Sequence, residues 1–174
     1  MSANKRRVKF SVKPLPAELF RELKSYLGEN LGVDYREFIS GELWLTCLGK
    51  NCIIYNGMGR RFYGLTLLYS DGWIGVWRKG VLAPSPRIYE EAYNRYGLRA
   101  ALIPKPAGLK AFLYGNDILE ISIDREIPPL NGPVAVVDPV DNRVVGVAVK
   151  SRDRKGRVYY RNIYDLGMFV REWG

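Results

Sequence analysis

The stretch PVAVVDPVDNRVVGVAVKSRDRKGRVYYR, Pro133–Arg161, carries the strongest structural signal in the chain. Its β-branched runs Pro133–Asp138 and Arg143–Lys150 are joined through Pro139 and an Asp-Asn pair, and Arg157–Arg161 is a third strand-like run. β-Branched and aromatic residues favour strands, whereas Pro, Asp and Asn favour the tight turns between them. Short strands and turns fill most of residues 105–174, which predicts a small barrel-like β domain.

The sequence character changes at IPKPAG, Ile103–Gly108. Two prolines and a glycine disfavour regular structure across this segment, so we expect no continuous helix over Lys105–Gly108. Helical and strand periodicities alternate before the segment, and strand patterns dominate after it. We therefore predict two domains, residues 1–104 and residues 105–174.

The N-terminal half mixes both periodicities. Helices are predicted over Pro16–Leu27, stopped by Gly28, and over Ser85–Gly97. Strand-like runs surround a Gly-Lys and an Asp-Gly turn signal. These runs are Gly41–Leu48, Asn51–Tyr55, Phe62–Tyr69, Trp73–Trp77 and Leu98–Ile103. The predicted fold class is therefore α+β, in which an α/β domain with a largely antiparallel sheet precedes a β pseudo-barrel.

The composition excludes several classes of chemistry. The chain contains no histidine, which removes Ser-His-Asp and Cys-His catalysis and His-ligated metal sites. Cys47 and Cys52 alone cannot supply the roughly four ligands of a structural zinc ion, so we predict no metal site. We interpret them as small buried residues or as neighbours across a hairpin in a reducing cytoplasm.

Targeting and cofactor signals are absent from the sequence. No apolar run approaches the roughly 20 residues of a membrane-spanning helix, and the basic N-terminus lacks the apolar segment of a secretion signal. The glycine-rich segment Gly57–Gly64 matches neither the dinucleotide fingerprint nor the phosphate loop, and we interpret it as a hairpin loop. The adjacent Glu90 and Glu91 are predicted to lie on a solvated helix face. We expect a cytoplasmic protein without cofactors and without enzymatic activity.

Positive charge is concentrated in one strip. The chain has a net charge of +9, and Lys150–Arg161 holds six basic residues and one acidic residue, whereas the rest of residues 105–174 has a net charge of −3. Basic side chains neutralise phosphates, and tyrosines offer stacking surfaces to unpaired bases. Strand alternation places Arg157, Tyr159 and Arg161 on one face, with Arg154–Gly156 as the turn. This pattern favours an RNA-binding surface, and a solvated hairpin is the alternative interpretation.

Two blocks carry a resemblance to known families. FLYGNDIL, Phe112–Leu119, followed by Gly132–Ser151, resembles a PUA domain, an RNA-binding pseudo-barrel. Lys105–Leu119 and DLGMFVRE, Asp165–Glu172, are similar more narrowly to the Nip-seven family, which assists large-subunit assembly and pre-rRNA processing. Asn162-Ile163 stands where relatives commonly carry His-Gln, so the chain resembles a divergent archaeal member.

The resemblance implies an RNA-binding ribosome biogenesis factor that performs no catalysis. Its ligand would be pre-rRNA or single-stranded uridine- or adenine-rich RNA, and its protein partners would be large-subunit assembly factors or the exosome. Gly115 and Gly146 are expected to be structural. The candidate RNA-binding residues are Lys150, Arg152, Arg154, Lys155, Arg157, Arg161 and Tyr159.

Three alternatives remain open from the sequence. One is an RNA-modification enzyme with a catalytic Asp or Cys in an N-terminal pocket. Another is a protein–protein adaptor that docks through the tryptophans Trp44, Trp73 and Trp77, which are core residues in the competing interpretation. The third moves the RNA surface to the basic arm Lys5–Lys13 together with Arg60 and Arg61.

Overall fold

The first sheet is an antiparallel meander of five strands. The computed structural model describes residues 10–57 and 72–173. Within them the sheet order follows the chain order. The strands are β1 (Phe10–Pro14), β2 (Leu43–Leu48), β3 (Asn51–Asn56), β4 (Trp73–Arg78) and β5 (Val81–Pro84). The expected Gly-Lys turn joins β2 to β3. The strand Phe62–Tyr69 and the loop Gly57–Gly64 fall wholly or mostly outside the described residues.

The two cysteines are joined in a disulfide. Cys47 and Cys52 lie directly opposite each other in the β2–β3 hairpin, and their sulfur atoms are bonded. Both are buried, as expected. The prediction of a reduced neighbouring pair is corrected. The cysteines form the second facing pair from a two-residue turn, and side chains of facing strands approach each other most closely at such a pair.

The first helix, α1, contacts β5 of the first sheet and the second, α2, contacts the strand Val144–Arg152 of the second sheet, and α1 ends later than expected. Helix α1 (Ala17–Tyr26) continues without interruption into a π-helical turn, Leu27–Leu31, and Gly32 ends it in a left-handed conformation. Gly28 therefore does not stop the helix. The continuation buries Leu27 and Leu31 completely, which favours helix over an earlier end. Helix α2 (Pro86–Tyr96) begins after Ser85 and ends before Gly97, as predicted.

The second sheet is curled into a half-barrel. Its order is β7-β11-β10-β9-β6-β8, antiparallel except where β6 runs parallel to β9. The strands are β6 (Ala101–Pro104), β7 (Ile118–Leu119), β8 (Ile123–Ile127), β9 (Pro133–Val137), β10 (Val144–Arg152) and β11 (Val158–Asp165). The C-terminal segment, for which the sequence pattern did not decide between helix and strand, forms helix α4 (Leu166–Trp173). The α+β fold class with a largely antiparallel first sheet is confirmed.

The IPKPAG segment is more regular than expected. Its first residues belong to β6, in the second sheet, and helix α3 (Pro106–Leu113) begins at its second proline. Proline is tolerated at the first helical position because its missing N–H has no partner there. A Cβ on Gly108 would lie 2.8 Å from both Cβ and the carbonyl oxygen of Ser122, so this glycine permits close packing. The division at residue 104 stays a prediction.

Buried tyrosines fix one sheet to the other. The hydroxyl of Tyr26 donates to the carbonyl of Pro133 at 2.7 Å and lies 2.7 Å from the hydroxyl of Tyr89. Tyr164, on β11 of the second sheet, donates its hydroxyl to the carbonyl of Pro84, on β5 of the first sheet, at 2.6 Å. Burial raises the pKa of all three tyrosines. Each hydroxyl therefore stays neutral and hydrogen-bonded, which holds the two sheets in one orientation.

The β4–β5 turn adds a second connection. Arg78 donates to the carbonyl of Ile163 at 2.8 Å, and Lys79 donates to that of Asn162 at 2.6 Å. Both carbonyls lie on β11 beside a register shift in its pairing with β10. Two basic side chains of the first sheet are therefore used to hold the strand that carries the basic strip.

Candidate nucleic-acid interface

The basic strip forms a long β-hairpin that ends in a tight turn. β10 and β11 pair from Gly146 opposite Asp165 to Arg152 opposite Val158. The turn forms at Arg154 and Lys155, which confirms the predicted position. The hairpin therefore presents the middle of the strip at its tip.

Asp153 organises the turn. Its Oδ1 accepts the backbone N–H groups of Lys155 at 2.8 Å and Arg157 at 3.0 Å, and its Oδ2 accepts from the Arg157 guanidinium at 2.7 Å. The hydrogen bond from Arg157, supported by those backbone donors, lowers the pKa of Asp153. The carboxylate is ionised at neutral pH and neutralises Arg157, so Arg157 is a less available phosphate ligand than its sequence position suggests.

Arg154 and Lys155 are the exposed cations of the tip. Neither side chain has a hydrogen-bond or ion-pair partner among residues 10–57 and 72–173. Arg152 is also exposed, and one of its guanidinium nitrogens donates to the carbonyl of Gly156 at 3.0 Å. The tip thus combines two unengaged cations with a third that also braces the turn, an arrangement suited to contact with an anionic polymer.

Lys150 is engaged on β10, two residues before the last strand pair at the tip, Arg152 with Val158. Its ammonium lies 3.1 and 3.0 Å from the two carboxylate oxygens of Glu126 on β8, and the same carboxylate accepts the Tyr160 hydroxyl at 2.7 Å. Burial alone would raise the pKa of Glu126, but the hydrogen bonds from Tyr160 and Lys150 outweigh it and lower the pKa. The predicted RNA ligand Lys150 therefore closes an ion pair across the half-barrel.

Tyr159 and Arg161 lie on the other face of β11. Tyr159 pairs with Ser151 and Arg161 with Val149, whereas Lys150 pairs with Tyr160. Residues directly opposite in an antiparallel pair share a face, so Lys150 points away from Tyr159 and Arg161. Arg161 is half-buried, and its Nε has no partner in the part of the chain that the structure describes. The seven candidate residues are therefore divided between two faces and a tip.

The two blocks that carry the family resemblance meet behind the hairpin. Arg171 of α4 donates to both carboxylate oxygens of the buried Asp165, at 3.0 and 2.8 Å, and to the carbonyl of Leu113 at 2.9 Å. Its guanidinium lies against Gly115, whose φ is +89°. Asn162 donates from β11 to the carbonyl of Phe112 at 3.0 Å. The FLYGN segment is thus held by the C-terminal block.

Gly146 is structural, as expected. A Cβ at this position would lie 2.4 Å from the carbonyl oxygen of Tyr164 and 2.7 Å from the ring of Phe112. These distances leave no room for a side chain, so the glycine allows β10 to approach β11 and α3 closely.

The sequence pattern did not identify two acidic residues that are important for the structure. Glu126 and Asp165 neutralise Lys150 and Arg171, yet neither was singled out as a site residue. The partner of Lys150 lies 24 residues away, so strand alternation carries no signal for it. Asp165 and Arg171 both belong to the segment Asp165–Glu172. Their spacing of six residues spans the junction of β11 and α4, so neither strand nor helix periodicity predicts their contact.

Other candidates are placed less centrally. Trp44, Trp73 and Trp77 are all half-buried. Lys13 is exposed on β1, and most of the basic arm, with Arg60 and Arg61, lies outside the described residues.

Within residues 10–57 and 72–173, no group of three His, Cys, Asp or Glu side chains could hold a metal ion. In the same residues no helix has the length and apolarity to cross a membrane.

Comparisons with known proteins agree with this architecture. Residues 100–174 match the family model described as the UPF0113 PUA domain. The fold is similar to that of a hypothetical protein from the hyperthermophilic archaeon Pyrococcus horikoshii, with a TM-score of 0.62 and 15% identity over 92% of this chain and 99% of that one. It is also similar to a conserved PUA domain protein from Thermoplasma acidophilum, with a TM-score of 0.57 and 14% identity over 94% and 100% of the two chains.

No curated protein sequence matches the chain. PUA domains are generally RNA-binding modules, and the match begins at the residue before β6, the first strand of the half-barrel. Residues 100–174 of this chain are therefore similar to a PUA domain.

Proposed function

We propose that this chain binds single-stranded RNA through the tip of the β10–β11 hairpin and performs no reaction on it. The observation that carries the proposal is the contrast within the basic strip. Lys150 and Arg157 are neutralised by Glu126 and Asp153, whereas Arg154 and Lys155 are exposed without a partner among the described residues. Unpaired cations on a projecting turn can reach phosphates without first breaking an ion pair.

The surroundings of the tip support this assignment. Arg152 stands at the end of β10 and keeps guanidinium nitrogens available beyond the one that braces the turn. Tyr159, half-buried on β11, is the candidate for stacking on an unpaired base, since base–aromatic stacking tolerates any sequence. We assign the phosphate contacts to Arg154 and Lys155, with Arg152 beside them, and the base contact to Tyr159.

We extend the proposal to the biological role that the Nip-seven resemblance implies. The RNA would be pre-rRNA or a uridine- or adenine-rich segment, and the protein would act in large-subunit assembly in the cytoplasm, beside assembly factors or the exosome. The contact between FLYGN and the C-terminal helix supports this extension. Arg171 pairs with Asp165 and also donates to the carbonyl of Leu113, so it joins the two segments that carry the resemblance. Crosslinking in cell extract, followed by sequencing of the bound RNA, tests it. Recovery of messenger or transfer RNA without rRNA would contradict it.

The RNA surface itself is tested by salt dependence. For single strands, each neutralised phosphate contributes a slope of about −0.7 to log affinity against log salt concentration. The double variant Arg154→Ala with Lys155→Ala should reduce this slope by about 1.4 and weaken binding of labelled uridine-rich RNA about 25-fold in 0.1 M salt. Fluorescence anisotropy from 0.05 to 0.3 M salt measures both quantities.

A matched control separates local contact from net charge. Arg21 on α1 and Lys110 on α3 are both exposed, and their double alanine variant removes the same two charges away from the hairpin. We expect its slope to stay close to that of the wild type. Equal losses in both double variants would show that binding depends on net charge alone and would refute the hairpin assignment.

A further inference from the structure

A groove of about 530 Å³ lies beside the basic hairpin. It is bounded by β7, by the single 3-10 turn that follows it, and by the start of β11. Its lining combines aliphatic and acidic side chains with a single cation and the aromatic ring of Tyr159, and the residues are Asp117, Leu119, Glu120, Ile121, Asp153, Arg157, Val158 and Tyr159. This lining differs from that of the hairpin tip, where the exposed side chains are basic.

Large aliphatic side chains are exposed at this groove. Leu119 is 59% exposed and Ile121 is 78% exposed. Leu119 lies directly opposite Tyr159 in the β7–β11 pair, so both side chains stand on the same face of the sheet. Clustered exposed apolar side chains bordered by polar ones mark interaction surfaces more often than isolated ones do.

The charge of the groove is negative, although the whole chain is strongly positive. Asp153 and Arg157 neutralise each other. Asp117 and Glu120 have no ion-pair partner among residues 10–57 and 72–173; Asp117 accepts only the backbone N–H of Asn162, at 2.8 Å. Carboxylates repel phosphates, and aliphatic side chains offer no stacking surface, so the end of the groove at Leu119 and Ile121 is unsuited to RNA.

The position of β7 suits an extended ligand. β7 is an edge strand of the half-barrel in the described part of the chain, and edge strands accept extended segments whose side chains alternate between surface and solvent. We propose that this groove docks an extended segment of a partner protein in which aliphatic residues alternate with lysine or arginine. The aliphatic residues would pack on Leu119 and Ile121, and the cations would pair with Asp117 and Glu120.

A model peptide tests the proposal without a known partner. The probe is a fluorescein-labelled hexapeptide in which lysine alternates with leucine and isoleucine, and its control carries glutamate in place of lysine. We expect the basic peptide to bind at least tenfold more tightly than the acidic one and to shift the backbone amide NMR signals of residues 117–121 and 158–159. The wild-type chain is expected to bind despite its overall positive charge, because the groove is locally acidic.

Three variants locate the contact. Leu119→Ser combined with Ile121→Ser should weaken peptide binding at least tenfold, and Glu120→Gln should weaken it by a smaller factor. Val140→Ser is the matched control, because Val140 is 89% exposed on the β9–β10 turn, outside the groove. All four substituted positions are exposed, and thermal unfolding will verify that each of the three variants folds. Uridine-rich RNA should bind each variant within twofold of the wild type.

Several results would overturn the proposal. The wild-type chain could fail to bind the basic peptide at millimolar concentration, or bind both peptides equally. The double variant could bind the peptide as well as Val140→Ser does, or the NMR shifts could map outside the groove. A loss of RNA affinity in Leu119→Ser with Ile121→Ser would assign the groove to RNA instead of protein.

Discussion

Two neighbouring regions of the β10–β11 hairpin use the same kind of residue for different purposes. At the Lys150–Tyr160 pair, Lys150 is held by Glu126, and that carboxylate also accepts the Tyr160 hydroxyl. At the tip, Arg154 and Lys155 extend from a turn that Asp153 holds in place. Lys150 precedes Arg154 by only four residues, yet the side chain of Lys150 stabilises the barrel while those of Arg154 and Lys155 face solvent.

This difference shows that the net charge of a sequence segment and the charge that it can present to a ligand are separate quantities. A net charge of +5 over Lys150–Arg161 is a property of the sequence. How much of it can meet an external anion depends on where the acids of other strands fall. A cation that forms an internal ion pair is not available to RNA. Moving it to a phosphate would leave a partly buried carboxylate unpaired.

The largest contrast is expected between two glycines of the hairpin. Gly146→Ala near the open end should destabilise the chain by about 3 kcal/mol or more, because the added Cβ meets backbone atoms that cannot move independently. Gly156→Ala at the tip should cost about 1–2 kcal/mol, since its φ of +79° is strained for alanine but nothing lies within 4 Å of the new atom. Chemical denaturation measures both free energies of unfolding. Equal losses would contradict the close packing of Gly146 against β11 and α3.

Removing the carboxylate that holds Lys150 and Tyr160 should affect stability without reducing RNA binding. Glu126→Ala leaves the Tyr160 hydroxyl without its acceptor and Lys150 without its counter-ion, and we expect a loss of about 2 kcal/mol in the free energy of unfolding. Asp124→Ala is the matched control, because Asp124 is an exposed acid on the same strand; it should change stability by less than about 0.5 kcal/mol. Weaker RNA binding by a folded Glu126→Ala would place the RNA surface at the Lys150–Tyr160 pair.

Much of the fold was predictable because it depends on local chemistry. The β-branched runs, the proline and glycine at the ends of α2 and the turn at Arg154 and Lys155 all reflect preferences that neighbouring residues decide. Gly28 and the IPKPAG helix were misjudged because the burial of Leu27 and Leu31, and the contact of Gly108 with Ser122, override local propensity. Tertiary packing is invisible to a pattern of a few residues.

The candidate site was predictable only in part. The position of the strip and its turn followed from composition and alternation, but the division of its cations did not. Asp153 is close enough in sequence that its pairing with Arg157 could have been anticipated from their spacing of four residues. The pairing of Lys150 with Glu126 required the topology that brings β8 around to face β10 and β11.

A smaller effect is expected at the face that carries Tyr159. Tyr159→Ala should lower affinity for uridine-rich RNA by about 1 kcal/mol, at the lower end of the stacking range because the ring is half-buried. The salt slope should not change, since no phosphate contact is lost. Tyr159→Phe retains the ring and should bind RNA within twofold of the wild type. A changed slope in Tyr159→Ala would mean that the substitution disturbs the tip instead of removing a base contact.

The smallest effect is a dependence of stability on pH at the Lys150–Glu126 ion pair. Because the pKa of Glu126 is below its ordinary 4.5 in the folded chain, its ionised form stabilises folding above the unfolded pKa, and this contribution is lost as the pH falls through the folded pKa. Lys150→Met removes one of the donors that lower this pKa, so the variant should lose less stability than the wild type between pH 5 and about pH 3. Urea denaturation at several pH values measures the difference, which we expect to be below about 1 kcal/mol because the pair is one-third exposed. At neutral pH the same variant should retain the wild-type salt slope for RNA, since Lys150 is already neutralised; a slope reduced by about 0.7 would restore Lys150 as a phosphate ligand.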